Sequence, residues 1–309
     1  MKRVLVTGGA GFIASHLEDE LLGRGCDIVS IDISDEGKNI EHLISDERFQ
    51  FVRMDVNDTK ELAEISKGCD TVFHLAANSD IRAGGEDPEI DYRNTFLTTR
   101  SVLDAMVSAD IKRLFFASTS AVYGYMEGKL SETTGGLRPL SYYGAYKLAS
   151  ESIISSYSYM NGIDALIFRF PNVVGPRLTH GVIFDFVNKL KKDPEHLEIL
   201  GDGRQRKQYV YVKDLVKGIA DFTERMKEGF DIYNVSTDSF TDVDTIADLV
   251  CRSMGLKDME YRHNGGRCGW KGDVPTFEYD DSKARKAGWA HTFDSTGAIE
   301  ETLRQLDIH

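Results

Sequence analysis

The stretch Thr7-Gly8-Gly9-Ala10-Gly11-Phe12-Ile13-Ala14 decides the fold of this 309-residue chain. The apolar run Val4–Val6 precedes it, and residues 12–22, which have helical periodicity, follow it. A strand, a glycine turn and a helix in this order are typical of a dinucleotide-binding unit. Such a turn brings N–H groups at a helix N-terminus close to a pyrophosphate, whose charge the helix dipole favours. We therefore predict that Gly8, Gly11, Phe12 and Ile13 bind a dinucleotide.

Asp32 ends the next apolar run, 24 residues after Gly8. A carboxylate at this position can accept both hydroxyls of an adenosine ribose, and it repels a 2′-phosphate. The spacing therefore predicts NAD as the cofactor in preference to NADP. A glycine turn can also be purely structural, but the acidic residue at the end of the second strand disfavours that alternative.

The overall composition excludes several classes of protein. The net charge of −13 disfavours binding to nucleic acid or to an anionic membrane surface. No apolar run approaches the roughly 20 residues needed to span a bilayer, and no signal pattern precedes the first strand. Cys26, Cys69, Cys251 and Cys268 lack metal or redox spacing. We expect a cytoplasmic protein without a metal ion.

Short apolar runs alternate with helical segments through the first half of the chain, and this alternation predicts a parallel sheet with helices on both faces. The fold class is therefore α/β, a Rossmann-type doubly wound sheet with a smaller, mostly C-terminal domain. We expect an NAD-binding domain at residues 1–170 and a mainly substrate-binding domain at 171–309. Residues from about 205 to 240 are expected to return to the first domain. The apolar runs span residues 4–7, 27–32, 49–55, 71–75, 114–118 and 165–170.

The second informative motif is Tyr143-Gly144-Ala145-Tyr146-Lys147. Residues four apart share one face of a helix, so the first and last side chains of this motif point in the same direction. A tyrosine is too weak a base at neutral pH, but a nearby ammonium group favours its phenolate. We therefore predict an acid–base pair, Tyr143 and Lys147. A third member of the set should come from the carboxyl end of a strand, and the strand 114–118 ends at Ser118, Thr119 and Ser120.

These motifs resemble those of the extended short-chain dehydrogenase/reductases that act on nucleotide sugars. The resemblance covers nearly the whole chain and is greatest to the archaeal-type UDP-glucose (UDP-galactose) 4-epimerases. Its motifs are TGGAGFIAS, HLAA (His74–Ala77), STSAVYG (Ser118–Gly124), YGAYK (Tyr143–Lys147), NVVGPR (Asn172–Arg177), GDGRQRKQYVYVKD (Gly201–Asp214) and GWKGDV (Gly269–Val274).

The resemblance implies that Tyr143 is the acid–base, that Lys147 also holds the nicotinamide ribose, and that Thr119 contacts the sugar O4. Further cofactor contacts are implied for Ile33, Asp55, Val56, Leu75, Ala76, Ala77, Thr95, Ser118, Phe170 and Val173. Substrate contacts are implied for Asn172, the backbone of Val182, Ile183 and Phe184, and the side chains of Lys207, Tyr209 and Arg267. A homodimer is also implied, through the helices that start near Asn94 and Tyr143.

Four positions depart from the family pattern. Thr95 stands where an asparagine often binds the cofactor, and Lys207 replaces a more frequent arginine. Tyr146 replaces a small residue and either packs at a subunit interface or narrows the active site. Arg267 comes one residue early, beside Cys268, so substrate choice could differ from a UDP-hexose.

One position separates the possible reactions within this family. Related dehydratases and decarboxylases carry acids after the threonine, whereas Ser120 and Ala121 follow Thr119 here. This absence favours reversible C4 epimerisation of a UDP-hexose, through a transient 4-keto intermediate and tightly bound NAD. Two alternatives stay open. The first is an epimerase or 4-dehydrogenase for another nucleotide sugar. The second is a non-catalytic NAD-sensing protein, which the intact Thr119, Tyr143 and Lys147 set disfavours.

Overall fold

A computed structural model of the protein describes residues 1–34, 37–266, 269, 272, 274 and 276–306. The described strands are β1 (Arg3–Thr7), β2 (Asp27–Asp32), β3 (Phe49–Arg53), β4 (Thr71–His74), β5 (Arg113–Thr119), β6 (Lys129–Leu130), β7 (Asp164–Phe170), β8 (Asn172–Val174), β9 (His196–Ile199), β10 (Arg206–Lys207), β11 (Tyr209–Tyr211), β12 (Phe230–Asn234), β13 (Thr241–Asp242), β14 (Glu260–His263) and β15 (Glu278–Tyr279). The α-helices are α1 (Phe12–Gly23), α2 (Thr59–Ile65), α3 (Ile81–Glu86), α4 (Pro88–Asp91), α5 (Thr98–Ser108), α6 (Tyr142–Asn161), α7 (Val182–Lys192), α8 (Val212–Glu224), α9 (Val243–Ser253), α10 (Ser282–Lys286) and α11 (Ser295–Gln305). Short 3₁₀ helices span Gly37–Asn39, Glu41–Leu43 and Ser120–Val122, and Tyr92–Leu97 is π-helical.

A seven-stranded parallel sheet in the order β12-β7-β5-β4-β1-β2-β3 organises the chain. Its central strand, β1, pairs in parallel with β2 on one side and β4 on the other. Val4, Leu5 and Val6 are at most 1% exposed, as expected for a parallel sheet covered by helices on both faces. The predicted α/β, Rossmann-type fold is confirmed.

The chain divides into two compact units. The first comprises residues 1–124, 132–169 and 216–234, and it contains the seven-stranded sheet. The second comprises residues 125–131, 170–215 and 235–309. Residues 125–131 belong to the second unit, where β6 pairs with β15. The binding roles assigned to the two predicted domains stay predictions.

The second unit has its own apolar core around helices α7, α9 and α11. Ile183, Phe186, Leu190, Ile246 and Ile299 are buried there. Four two-stranded sheets pair β8 with β11, β9 with β14, β10 with β13, and β6 with β15. These short elements account for the change of sequence texture after residue 170.

The helix predicted to start near Asn94 has an irregular beginning. Residues 92–97 are π-helical, and the regular helix α5 starts at Thr98. The Thr98 hydroxyl donates to the Asn94 carbonyl oxygen, and the Thr99 hydroxyl donates to that of Thr95. Threonine hydroxyls that occupy carbonyls of the preceding turn compete with the regular backbone ladder, which accounts for the wider turn here.

No helix within the described ranges is long and apolar enough to cross a membrane. In the same ranges, no group of three or more His, Cys, Asp or Glu side chains is arranged to hold a metal ion.

Candidate active site

The glycine turn after β1 lies against the end of β4. Gly8 has a φ of +72°, and a Cβ built on it would lie 2.8 Å from the Ala76 backbone nitrogen. Only glycine accepts both the positive φ and this approach. Helix α1 follows with Gly11 as its N-cap and no side-chain cap. The N–H groups of its first turn therefore have no side-chain acceptor and suit a pyrophosphate.

The Asp32 carboxylate lies beside this turn. Its Oδ2 accepts the Ala10 N–H at 3.1 Å, and its Oδ1 accepts the Ser34 N–H at 2.9 Å. An ionised carboxylate has about four acceptor positions, so these two bonds leave capacity for two ribose hydroxyls. The turn, the open helix terminus and the carboxylate therefore fit NAD.

Six of the other predicted cofactor residues of the first unit follow the carboxyl ends of neighbouring strands, where ligands bind in such sheets, and Ser118 lies near the end of β5 itself. Ile33 is 61% exposed after β2. Asp55 is exposed and Val56 buried after β3, and Leu75, Ala76 and Ala77 are half-buried after β4. Thr95 does not follow a strand. It is buried in the π-helical stretch, where its Oγ1 accepts the Asn78 N–H at 3.2 Å.

Helix α6 brings Tyr143 and Lys147 to the end of β5. The Tyr143 hydroxyl is hydrogen-bonded to the side chain of Thr119. The Lys147 Nζ lies 5.9 Å from the centre of the Tyr143 ring and donates to the Ala117 carbonyl oxygen at 2.7 Å. The first unit therefore holds the three predicted catalytic residues together.

Burial dominates the electrostatics of this set. It raises the pKa of Tyr143, the charge of Asp91 raises it further, and the hydrogen bond from Thr119 opposes both effects. Burial lowers the pKa of Lys147 to about 7, against the opposing charge of Glu151. The expected phenolate is therefore not favoured in the ligand-free protein, because desolvation disfavours the charged form of both groups.

His74 lies at the end of β4 and is fully buried. Its Nδ1 is 2.7 Å from the Thr7 hydroxyl oxygen, and its Nε2 is 3.1 Å from that of Thr99. Burial, and then the charge of Lys147, lower the pKa of His74 to about 3. The imidazole is therefore neutral and connects β1, β4 and α5.

Apart from Thr119, the predicted substrate residues that the structure describes lie in the second unit, and Arg267 is outside the described residues. Asn172 on β8 is exposed and is the register partner of Tyr209 on β11. Tyr209 itself is only 3% exposed and forms part of the apolar core. Lys207, on β10, is half-buried. Phe170 and Val173, predicted at the nicotinamide, are also half-buried residues of this unit.

The backbone predicted to hold the nucleotide is a helix N-terminus. Val182 is the first residue of α7, and its N-cap, Gly181, has a φ of +95° and no side-chain cap. The N–H groups of Val182, Ile183 and Phe184 therefore occupy the first turn, where a helix leaves its donors without intrahelical partners. The Ile183 side chain is buried, whereas that of Phe184 is 42% exposed.

Sequence reasoning missed three residues of the first unit. Gly144 lets α6 approach the turn after β5, Asp91 is buried and acts on Tyr143, and Glu151 acts on Lys147. Glu151 follows Lys147 by four residues, as Lys147 follows Tyr143, so helical spacing could have indicated it. No sequence pattern indicated Asp91.

Comparison with known proteins agrees with this architecture. Residues 4–236 match the NAD dependent epimerase/dehydratase family. A Bacillus subtilis protein named an uncharacterized UDP-glucose epimerase is 37% identical over 226 residues, which are 70% of this chain and 71% of that protein. The crystal structure of Thermus thermophilus UDP-glucose 4-epimerase with NAD is 31% identical, with a TM-score of 0.85 and 98% of each chain covered. That of Bacillus cereus UDP-glucuronic acid 4-epimerase with UDP-glucuronic acid and NAD is 29% identical, with a TM-score of 0.88 and the same coverage.

The parallel sheet, the glycine turn and the Tyr-x-x-x-Lys helix define an extended short-chain dehydrogenase/reductase. Within that class, the chain belongs to the NAD dependent epimerase/dehydratase family. NAD is accordingly its cofactor, as predicted from Asp32. Proteins similar to this chain act on different UDP-sugars, so the family alone does not select the sugar.

Proposed function

We propose that this enzyme interconverts UDP-glucose and UDP-galactose by reversible epimerisation at C4. The observation that carries the proposal is the hydrogen bond between Tyr143 and Thr119 at the end of β5, with Lys147 beside it. Ser120 and Ala121 form the 3₁₀ turn that follows, and neither carries an acid. This lack of an acid beside Thr119 supports an epimerase in preference to a dehydratase or decarboxylase.

In the proposed mechanism, Tyr143 removes the proton of the sugar O4 hydroxyl and later returns it. Thr119 holds the same oxygen in line with the tyrosine. NAD, when bound, supplies a reversible hydride acceptor for C4. Inversion requires the ketosugar to present its other face before the proton and the hydride return. General acid–base work by a positioned side chain contributes on the order of 10²–10⁴ in rate.

The pKa values of Tyr143 and Lys147 suit this mechanism. Burial and the charge of Asp91 raise the pKa of Tyr143, so its hydroxyl is protonated, and burial lowers the pKa of Lys147 to about 7. The positive charge of the oxidised nicotinamide favours the phenolate. We therefore expect Tyr143 to become an effective base only when the oxidised cofactor is in place.

The second unit supplies the candidate contacts to the nucleotide. The open first turn of α7 at residues 182–184 offers backbone donors, and Lys207 offers a positive charge. Asn172 and Arg267 complete the proposed substrate set. A lysine attracts a diphosphate as a point charge, without the bidentate fork of an arginine.

Proton NMR of the purified enzyme with UDP-galactose, without added NAD, tests the proposal. Conversion to a mixture dominated by UDP-glucose is expected if the cofactor stays bound through purification. If no conversion follows even with NAD added, the UDP-hexose assignment is wrong. UDP-glucuronic acid is the next substrate to offer, because a solved structure 29% identical to this chain is a 4-epimerase for that sugar. Accumulation of NADH with either sugar would instead indicate a 4-dehydrogenase.

We also propose a homodimer formed through α5 and α6. The rings of Tyr92, Phe96 and Tyr146 form an aromatic cluster at the beginning of these helices, with centroids 5.7–6.3 Å apart. In this cluster, the Tyr146 ring packs against Tyr92 and Phe96 of its own chain. Such packing is a third role for Tyr146, beside a subunit interface and a narrowed active site. Light scattering of the purified protein measures the oligomeric state directly.

A further inference from the structure

Helix α6 holds three consecutive residues at the end of β5. Lys147 donates to the Ala117 carbonyl oxygen at 2.7 Å, and Tyr143 is hydrogen-bonded to the side chain of Thr119. Between these two contacts, the Ser118 hydroxyl donates to Glu151 Oε1. The helix residues are spaced by four, so they lie on one face. Glu151 is thus the third member of a row that already contains the two catalytic side chains.

Glu151 forms a buried ion pair with Arg169 on β7. Both side chains are 4% exposed, and the Arg169 Nη2 lies 2.6 Å from Glu151 Oε2. The Arg169 Nε donates to Oε1 at 3.0 Å, and its Nη1 donates to the Tyr123 hydroxyl at 3.0 Å. That hydroxyl donates in turn to Asn234 Oδ1 at 2.8 Å. The network fixes the carboxylate in one orientation.

Stability alone is a weak reason for such a pair. The cost of taking two charges out of water often exceeds their attraction, and apolar replacements of similar volume are often neutral or stabilising. A buried pair that contacts the residue before Thr119 instead suggests a function in the site. Glu151 lies one helical turn after Lys147, so we infer that its function concerns the charge of that lysine.

Lys147 is 2% exposed and needs a nearby negative charge to stay protonated. The titratable groups that face it are His74 from β4 and Tyr143 and Glu151 from α6, with Arg169 reaching it through Glu151. His74 and Tyr143 are neutral in the ligand-free protein. Glu151 is therefore the negative charge that opposes the loss of the Lys147 proton.

We propose that Glu151 is a positioning residue of the catalytic set, which holds the Ser118–Thr119 strand end through one carboxylate oxygen and places a buried negative charge one helical turn from Lys147, where it opposes the loss of the lysine proton. This inference rests on the proposed function only for its catalytic consequence. The contacts and the charge of Glu151 belong to the ligand-free first unit.

The first test is the titration of Lys147 in ligand-free protein, followed by NMR of ¹³Cε-labelled lysine. The resonance is assigned by its absence from Lys147→Met. Glu151→Gln keeps the shape and one oxygen acceptor but removes the charge, and it should lower the titration midpoint by roughly one pH unit or more. Glu64→Gln, at an exposed carboxylate of α2, is the matched control and should leave the midpoint unchanged.

A folded Glu151→Gln with the wild-type midpoint would overturn the proposal. If that variant does not fold, the wild-type protein still decides, because a Lys147 midpoint below about pH 6 would show that the charge of Glu151 does not offset the burial of the lysine. Neither experiment requires a substrate or NAD, so failure of UDP-galactose conversion leaves this result untouched. If the enzyme is active, the pH–rate profile of Glu151→Gln should lie at lower pH than that of the wild type. Glu151→Asp keeps the carboxylate and should restore the wild-type profile.

Discussion

Gly144 lies so close to Ala121 that a Cβ built on it would stand 2.6 Å from the Ala121 carbonyl oxygen. This approach brings the N-terminal turn of α6, and with it Tyr143, to Thr119. Gly144→Ala should therefore push the helix away from β5. We expect a loss of about 1–3 kcal/mol in the free energy of unfolding, typical of overpacking. Relative to the wild type, turnover should fall by a larger fraction than this free energy, because Tyr143 moves with the helix.

Urea unfolding and the NMR assay measure these two effects. Gly23→Ala, at the end of α1, is the control, since a Cβ there meets nothing within 4 Å. Wild-type turnover in Gly144→Ala would mean that the close approach of helix and strand is not needed for catalysis.

Tyr143→Phe removes the proposed acid–base while keeping the ring. Turnover should fall by on the order of 10²–10⁴, while NAD stays bound. The neighbouring Tyr142→Phe, at a residue 48% exposed, should retain wild-type activity. The measurements are the NMR assay and the absorbance of the protein-bound cofactor after gel filtration. Substantial activity in Tyr143→Phe would exclude the tyrosine as the proton carrier.

Asp32→Asn should weaken NAD binding while leaving the fold intact. The carboxylate has capacity for two ribose hydroxyls, and a hydrogen bond to a charged group is worth more than a neutral one, so the dissociation constant should rise about tenfold or more. NADP should gain relative to NAD. Calorimetric titration with both dinucleotides measures this, with Asp27→Asn at the exposed start of β2 as control. Equal affinities in wild type and Asp32→Asn would remove this residue from the cofactor site.

His74 should make the ligand-free protein sensitive to acid. Burial lowers its pKa to about 3 from an ordinary 6.5. Between these two values the unfolded chain binds a proton that the folded chain does not, so stability falls as the pH falls. The contribution is at most about 1.4 kcal/mol per pH unit. Urea unfolding from pH 6.5 to 4 should show a smaller decline in His74→Gln than in wild type or in His42→Gln, at an exposed histidine.

Much of the first unit could be predicted because its signals are local. An apolar run followed by glycines or by a single acid identifies a strand and its end, and Asp32 and Thr119 were found in this way. Tyr143 and Lys147 were found because four-residue spacing on a helix is visible in the sequence. In each case, neighbours along the chain determine the structure that was predicted.

The charge states could not be predicted in the same way, because they depend on contacts between distant segments. Tyr143 and Asp91 are 52 residues apart, and the packing around this half-buried tyrosine and buried carboxylate follows no local pattern. The pairing of Glu151 on α6 with Arg169 on β7 is equally non-local. The sequence therefore identified which groups are present, whereas their protonation required the three-dimensional fold.

The row of contacts between α6 and the end of β5 has a consequence for protein engineering. Ala117, Ser118 and Thr119 are each held by a side chain of one regular helix, so the proposed catalytic groups are aligned by contacts between a helix and a strand. The proposed sugar-nucleotide contacts belong to other segments, on β8, β10 and α7. Libraries that randomise those segments should therefore yield variants with new nucleotide preferences and undamaged redox chemistry.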